Sequence, residues 1–255
     1  MPLDNRLIAY VTLALLTALV ISFLMTPVVR TFAYKVGAVD VPKDARRMHD
    51  HPIPRMGGLA IFFGFVAAML LMVQLDTAKK GMLLGAVIIV VLGIFDDIYA
   101  LPAKPKFLVQ IAAALIAVMA GNRIEVLSNP NIFSENPVWQ LGVLSIPITV
   151  IWIVAITNAV NLIDGLDGLA CGVSTISAAT MLVIALLVSE RDVALMMAAL
   201  VGACMGFLPY NFNPAKIFMG DTGSTFLGFI MATMSVEGMF KQYTIISFVV
   251  PFLVL

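Results

Sequence analysis

Nine blocks of this sequence carry no charge: Leu7 to Val29, Met56 to Leu75, Gly81 to Phe95, Phe107 to Asn122, Asn136 to Ile163, Gly168 to Ser189, Val193 to Ala215, Thr222 to Val236 and Gln242 to Leu255. A helix crossing hydrocarbon needs about 20 apolar residues, and in lipid only helices and closed barrels satisfy their own backbone. The chain is 61% hydrophobic and 12% charged, about half the charged share of a soluble domain. These features predict an all-α, polytopic transmembrane bundle of about nine spans, forming one integral-membrane domain over residues 1–255. The first block is too long for a signal-peptide core and lacks a cleavage site, so it is expected to remain as a span. The blocks opening at Gly81 and Thr222 are short and must enlist flanking polar residues or sit beside a cavity; both abut aspartates. Gln242 to Leu255 is too short to span, so the sequence reads as cut off within its last helix.

Formal net charge is zero, so no basic excess points to nucleic acid. Taking the connections alternately, Arg30, Lys35, Lys43, Arg46, Arg47, Arg55, Lys104, Lys106 and Lys216 fall on one face, and Arg6, Lys79, Lys80, Arg123, Arg191 and Lys241 on the other. Most of the first group crowds between the first two spans, which makes that face cytoplasmic by the positive-inside rule. Asp96, Asp97, Asp164, Asp167 and Asp221 then lie on the cytoplasmic face too. On the opposite face, Ser128-Asn129-Pro130-Asn131 predicts a small external hairpin. Cys171 and Cys204 sit inside apolar blocks without metal-ligand spacing and read as small buried hydrophobes.

Four constellations carry the chemical signal. In Asn158 to Leu169, Asn158, Asn161, Asp164 and Asp167 recur every third residue, which at helical spacing lines one wall of a cleft. A helix cap accounts for one such residue, not four. Asp96 and Asp97 close the third span, the end of a helix that disfavours negative charge. As neighbours they point about 100° apart and should have different tasks. Met219-Gly220-Asp221-Thr222-Gly223-Ser224-Thr225 offers a turn whose amides could approach a phosphate while Asp221 holds a cation, although Asp221 or Ser224 would also make a good N-cap. Arg46, Arg47, His49, His51 and Arg55 stand among Pro42, Pro52 and Pro54, as topological charge or as a stiff phosphate-binding lid; a zinc site at the two histidines lacks further ligands. Carboxylates without a histidine or cysteine cluster select a hard cation, with magnesium as the natural choice.

The ordered motifs His51-Pro52-Ile53-Pro54-Arg55-Met56-Gly57-Gly58, Gly93-Ile94-Phe95-Asp96-Asp97 with Lys106 and Gln110, Asn158 to Asp167, and Phe218-Met219-Gly220-Asp221-Thr222-Gly223-Ser224 resemble those of the polyprenyl-phosphate N-acetylhexosamine-1-phosphate transferases, glycosyltransferase family 4. The resemblance implies transfer of N-acetylglucosamine 1-phosphate from UDP-N-acetylglucosamine to undecaprenyl phosphate, releasing UMP, as the first membrane step of cell-wall or surface polysaccharide synthesis. It places the chain in a bacterial plasma membrane with cytoplasmic active-site loops. It implies magnesium as cofactor with manganese able to substitute, and a homodimer is compatible with it. It assigns Asp221 to the metal and Asp96, Asp97, Asp164 and Asp167 to catalysis. Asn158, Asn161, Lys106, Arg46, Arg55 and His51 are assigned to substrate binding. The sister branch, phospho-N-acetylmuramoyl-pentapeptide transferase, is the alternative within the family. The family also has a histidine-bearing cytoplasmic loop beyond the ninth span, which this chain does not reach. A secondary transporter is the alternative of another class, but transporter acids lie near the bilayer midplane, whereas these lie at helix ends.

Overall fold

The computed structural model of the protein describes residues 5–42, 51–128 and 138–237. Eight of the nine uncharged blocks hold an α-helix: α1 (Asn5–Val36), α2 (Gly58–Met72), α3 (Thr77–Tyr99), α4 (Ala103–Met119), α5 (Ser145–Leu162), α6 (Leu169–Leu187), α7 (Arg191–Asn211) and α8 (Gly220–Glu237). The ninth block lies outside the described residues. Among the described helices, five segments are long and apolar enough to cross a membrane: Asn5–Val36, Thr77–Tyr99, Gly142–Leu162, Leu169–Leu187 and Arg191–Asn211. The block at Gly81 becomes long enough because α3 takes in Lys79 and Lys80 at one end and Asp96 and Asp97 at the other. The block from Asn136 is helical only over its later part, after strand β4 and a 3-10 turn at Gly142–Leu144.

Two small hairpins complete the structure. β1 (Val39–Asp40) pairs antiparallel with β2 (Ile53–Pro54) between α1 and α2, and β3 (Val126–Ser128) pairs with β4 (Val138–Gln140) between α4 and α5. The second is the hairpin expected from the turn residues at 128–131.

Burial follows a membrane logic. Helix α8 lies at the centre, with every residue from Thr222 to Val236 buried and α2, α3, α5 and α6 packed around it. Helix α1 is peripheral. Its outward positions Leu13, Leu16, Val20, Leu24 and Val28 are exposed, which suits acyl chains rather than water. Its inward stripe, Ala14, Ala18, Ser22 and Thr26, is small and spaced every fourth residue. Gly202 and Gly206 of α7 press on the α1 backbone beside that stripe, where a Cβ would lie 2.1 Å from the Leu15 carbonyl oxygen and 2.3 Å from that of Leu19 respectively. Lipid is as apolar as the helices, so association depends on close packing at small-xxx-small sites. Gly202→Leu is therefore expected to force α1 off α7 and cost about 3 kcal/mol, read as a lower midpoint of thermal unfolding in detergent; an unchanged midpoint would show that the contact is dispensable.

Candidate active site

Helix α3 ends where Ala100 turns into the left-handed region, φ 50°, ahead of Pro102. This stops the helix one turn after two buried carboxylates. Asp96 accepts from the Leu101 amide at 2.7 Å through one oxygen and from Lys106 Nζ at 2.7 Å through the other. Asp97 turns to a different helix: its oxygens accept the backbone amides of Asp221 at 2.9 Å and Thr222 at 3.1 Å, and the Thr222 hydroxyl at 2.6 Å. Neighbouring residues thus have different tasks, as their angular separation required.

Asp97 caps α8 from outside the helix. The cap depends on Gly220, whose φ is +73° and where a Cβ would lie 2.5 Å from Asp97 Oδ2. It also depends on backbone contact elsewhere, since a Cβ on Gly93 would lie 2.4 Å from Thr222 Cα and one on Gly58 2.0 Å from Gly223 Cα. The segment before α2 is stitched to the segment before α8 by three main-chain bonds: Gly57 N to Phe218 O, Gly58 N to Met219 O, and Phe218 N to Pro54 O, each 2.9 Å.

Asp221, in the first turn of α8, is the junction. Lys106 Nζ reaches its Oδ2 at 3.0 Å and so bridges it to Asp96, while Asn161 Nδ2 donates to its Oδ1 at 3.1 Å and to Ser224 Oγ at 2.8 Å. Two cavities meet here. A chamber of about 520 Å³ is lined by Asp97, Asp164, Asp167 and Asp221 with Arg55 and His51. A groove of about 410 Å³, lined by Lys104, Lys106, Phe107, Gln110, Asn158 and Asn161, shares Asp221 with it. Asp164, half-buried after α5, has its carboxyl pushed up to about 7, first by burial and then by the charges of Asp97 and Asp221, against the opposing pull of Arg55.

The five aspartates do converge, but three expectations change. The three-residue spacing does not continue as one helical wall. Helix α5 ends at Leu162 and Gly168 takes φ +72°, so Asn158 and Asn161 face the groove while Asp164 and Asp167 face the chamber. The amides at the start of α8 are not open to a phosphate, because Asp97 occupies those of Asp221 and Thr222. Neither Asp221 nor Ser224 is the N-cap; the Ser224 hydroxyl instead donates to Gly220 O at 3.0 Å. Asp167 accepts from Asn213 Nδ2 at 3.1 Å and Ala215 N at 3.0 Å, fastening the segment between α7 and α8. Asn158 Nδ2 donates to Gln110 Oε1 at 2.6 Å. Arg55 is held by Asp40 at 2.6 Å, a partner whose only sequence signal was a carboxylate between two valines. His51 is exposed at the chamber rim. Arg46 lies outside the described residues. Cys171 and Cys204 are buried and free.

Among the described residues, no group of three or more His, Cys, Asp and Glu side chains forms a ready-made metal cage. Magnesium does not require one, since it is commonly held by one or two carboxylates with substrate phosphates and water. Asp96, Asp164 and Asp221 offer hard oxygen donors of that kind around the chamber and its junction.

A sequence profile described as Glycosyl transferase family 4 matches residues 80–239. The chain is 45% identical over 254 residues to a probable undecaprenyl-phosphate N-acetylglucosaminyl 1-phosphate transferase of Bacillus subtilis (strain 168), covering 99% of this chain and 70% of the relative. It is 39% identical over 243 residues to a decaprenyl-phosphate N-acetylglucosaminephosphotransferase of Mycobacterium tuberculosis (strain ATCC 25618 / H37Rv), covering 86% of this chain and 58% of that protein's length. A phospho-N-acetylmuramoyl-pentapeptide-transferase of Desulfitobacterium hafniense (strain DSM 10664 / DCB-2) is 34% identical over 255 residues, covering 91% of this chain and 76% of the relative.

The two carboxylates at the end of α3 should respond differently to amide substitution. Asp97→Asn places an N–H donor against backbone amides and should destabilise the fold by about 2 kcal/mol, in addition to any loss of activity. Asp96→Asn should leave the unfolding midpoint nearly unchanged while lowering activity. Equal loss of stability in the two, measured by thermal unfolding in detergent, would refute the assignment of Asp97 as the cap.

Proposed function

Because this chain belongs to glycosyl transferase family 4, we propose that it transfers N-acetylglucosamine 1-phosphate from UDP-N-acetylglucosamine to undecaprenyl phosphate and releases UMP. The observation that carries this reading is the Asp221 junction, where a polar chamber and a groove between α4 and α5 share one carboxylate. A transfer between a soluble nucleotide and a membrane lipid needs two approaches to one point. The chamber, with Arg55 and His51 at its edge, is suited to the diphosphate and nucleotide. The groove, with Lys104 and Lys106 beside Phe107, is suited to a phosphate on an apolar tail. The similarity is greater to the N-acetylglucosamine relatives than to the pentapeptide one, at 45% against 34%, which favours the smaller sugar.

In the reaction an oxygen of the lipid phosphate forms a P–O bond to the sugar-bearing phosphorus, and the P–O bond to UMP breaks. The protein has little covalent chemistry to perform, so its contribution is placement and charge. Lys106 sits between Asp96 and Asp221, where its ammonium is within reach of an arriving phosphate. Asn161 fixes the rotamer of Asp221. Asp97 acts through the backbone it holds at the start of α8, and Asp167 fastens the segment before α8 with one oxygen while also lining the chamber. Asp221, with Asp96 and Asp164 nearby, would hold a magnesium ion. When bound, such an ion would neutralise phosphate charge as the leaving UMP develops it. The chamber end of the bundle would face the cytoplasm, where nucleotide sugars are found, in agreement with the basic first connection.

Incubation of the membrane-embedded protein with UDP-N-acetylglucosamine and undecaprenyl phosphate should yield UMP and a lipid-linked sugar diphosphate. Release with UDP-N-acetylmuramoyl-pentapeptide alone would move the chain to the sister branch. Asp221→Asn should lower the rate by about 10³-fold and raise the magnesium concentration needed for half-maximal rate. A slower rate with an unaltered magnesium titration would restrict Asp221 to an organising role.

A further inference from the structure

Lys79 lies at the end of the bundle away from the site, in the first turn of α3, and is buried with 5% exposure. Its sequence position read as an ordinary connection charge. The structure instead surrounds its ammonium with three carboxylates from three helix ends: Asp76, the N-cap of α3; Asp192 in the first turn of α7, at 2.9 Å; and Glu237 in the last turn of α8, at 3.6 Å. Asp76 also caps the Lys79 amide at 2.9 Å.

Two of these charges sit at the wrong end of their own helix. A cation is disfavoured in the first turn of a helix and an anion in the last, so neither Lys79 nor Glu237 serves the helix that carries it. Together they join the start of α3 to the finish of α8. At the other end of the same antiparallel pair, Asp97 joins the finish of α3 to the start of α8. The two helices are therefore pinned to each other at both ends, and Asp221 belongs to the helix whose position those pins determine. One residue of axial slip moves a helix by about 1.5 Å, enough to break the 3.0 Å contact between Lys106 and Asp221.

We propose that Lys79 is a remote positioning residue for the active site: its ion cluster sets the axial register of α8 against α3, and so places Asp221, across about 25 Å of helix. Trp152, which donates to Ser235 Oγ at 2.9 Å, ties α8 to α5 near the same end, so loss of the cluster should shift α8 without expelling it. The inference rests on the transferase reading for its rate measurement only.

The test compares wild type, Lys79→Met, Lys79→Arg and Glu237→Gln in nanodiscs, by hydrogen exchange of backbone amides and by UMP release. Lys79→Met should speed exchange of the Asp221 and Thr222 amides about tenfold and slow UMP release about tenfold. Lys79→Arg should restore both, and Glu237→Gln should move both in the Met direction by less. Faster exchange confined to residues near 76–80, 191–194 and 234–237, with the Asp221 and Thr222 amides still protected, would reduce the cluster to a local structural role and overturn the proposal. If Lys79→Met does not insert, the Glu237→Gln pattern decides between these outcomes. A wild type that releases no UMP, while the exchange effect appears as described, would refute the transferase reading and leave the positioning role of Lys79 intact.

Discussion

Everything at the site hangs on one carboxylate satisfying the end of another helix. The first amides of a helix have no partners within it, and a polar group left unpaired away from water costs several kcal/mol. Helix α8 begins beside the chamber, with Gly220 and Asp221 half-buried and Thr222 fully buried. Asp97 supplies the acceptors, and a negative charge at that end also complements the helix dipole. Because the acceptor comes from α3, capping α8 and placing Asp221 beside Asp96 and Lys106 are the same event. The glycines at 58, 93, 220 and 223 follow from that requirement, since each allows a backbone approach that a side chain would block.

The division of labour among the acids follows from where their oxygens are committed. Asp97 commits both oxygens to the start of α8 and Asp167 one oxygen to Asn213 and Ala215, while Asp96, whose other oxygen holds the Leu101 amide, shares with Asp221 an ammonium that can exchange partners. Asp164 is left half-buried among like charges. A site that must receive several phosphates benefits from this arrangement: some acids are fixed and build the walls, and others stay available near the incoming charge.

Much of this could be read from the amino acids. The uncharged blocks marked eight helices, and the charge distribution set Asp96, Asp97, Asp164, Asp167 and Asp221 on one face. Contacts between distant segments were not legible. Nothing local says that Asp97 meets Asp221 and Thr222 more than a hundred positions away, so the amides of α8 looked available for a phosphate. The regular spacing from Asn158 to Asp167 suggested a continuous helix because a periodic pattern does not reveal that α5 stops at Leu162 and that Gly168 opens α6. Lys79 resembled any basic residue flanking a span, since burial of a cation depends on partners brought from α7 and α8. The stripe on α1 and the glycine pair on α7 were visible as small residues, but small residues are frequent in membrane helices and do not name their partner.

The three main-chain bonds between residues 54–58 and 218–219 join stretches more than a hundred and fifty positions apart. During synthesis the earlier stretch enters the bilayer long before its complement exists. Until α8 is inserted, Gly57 and Gly58 lack their acceptors, Asp97 has no amides to cap, and Lys106 balances Asp96 alone. The nascent protein must therefore carry an unfinished polar seam until α8 arrives, which makes insertion of α8 the step that closes it.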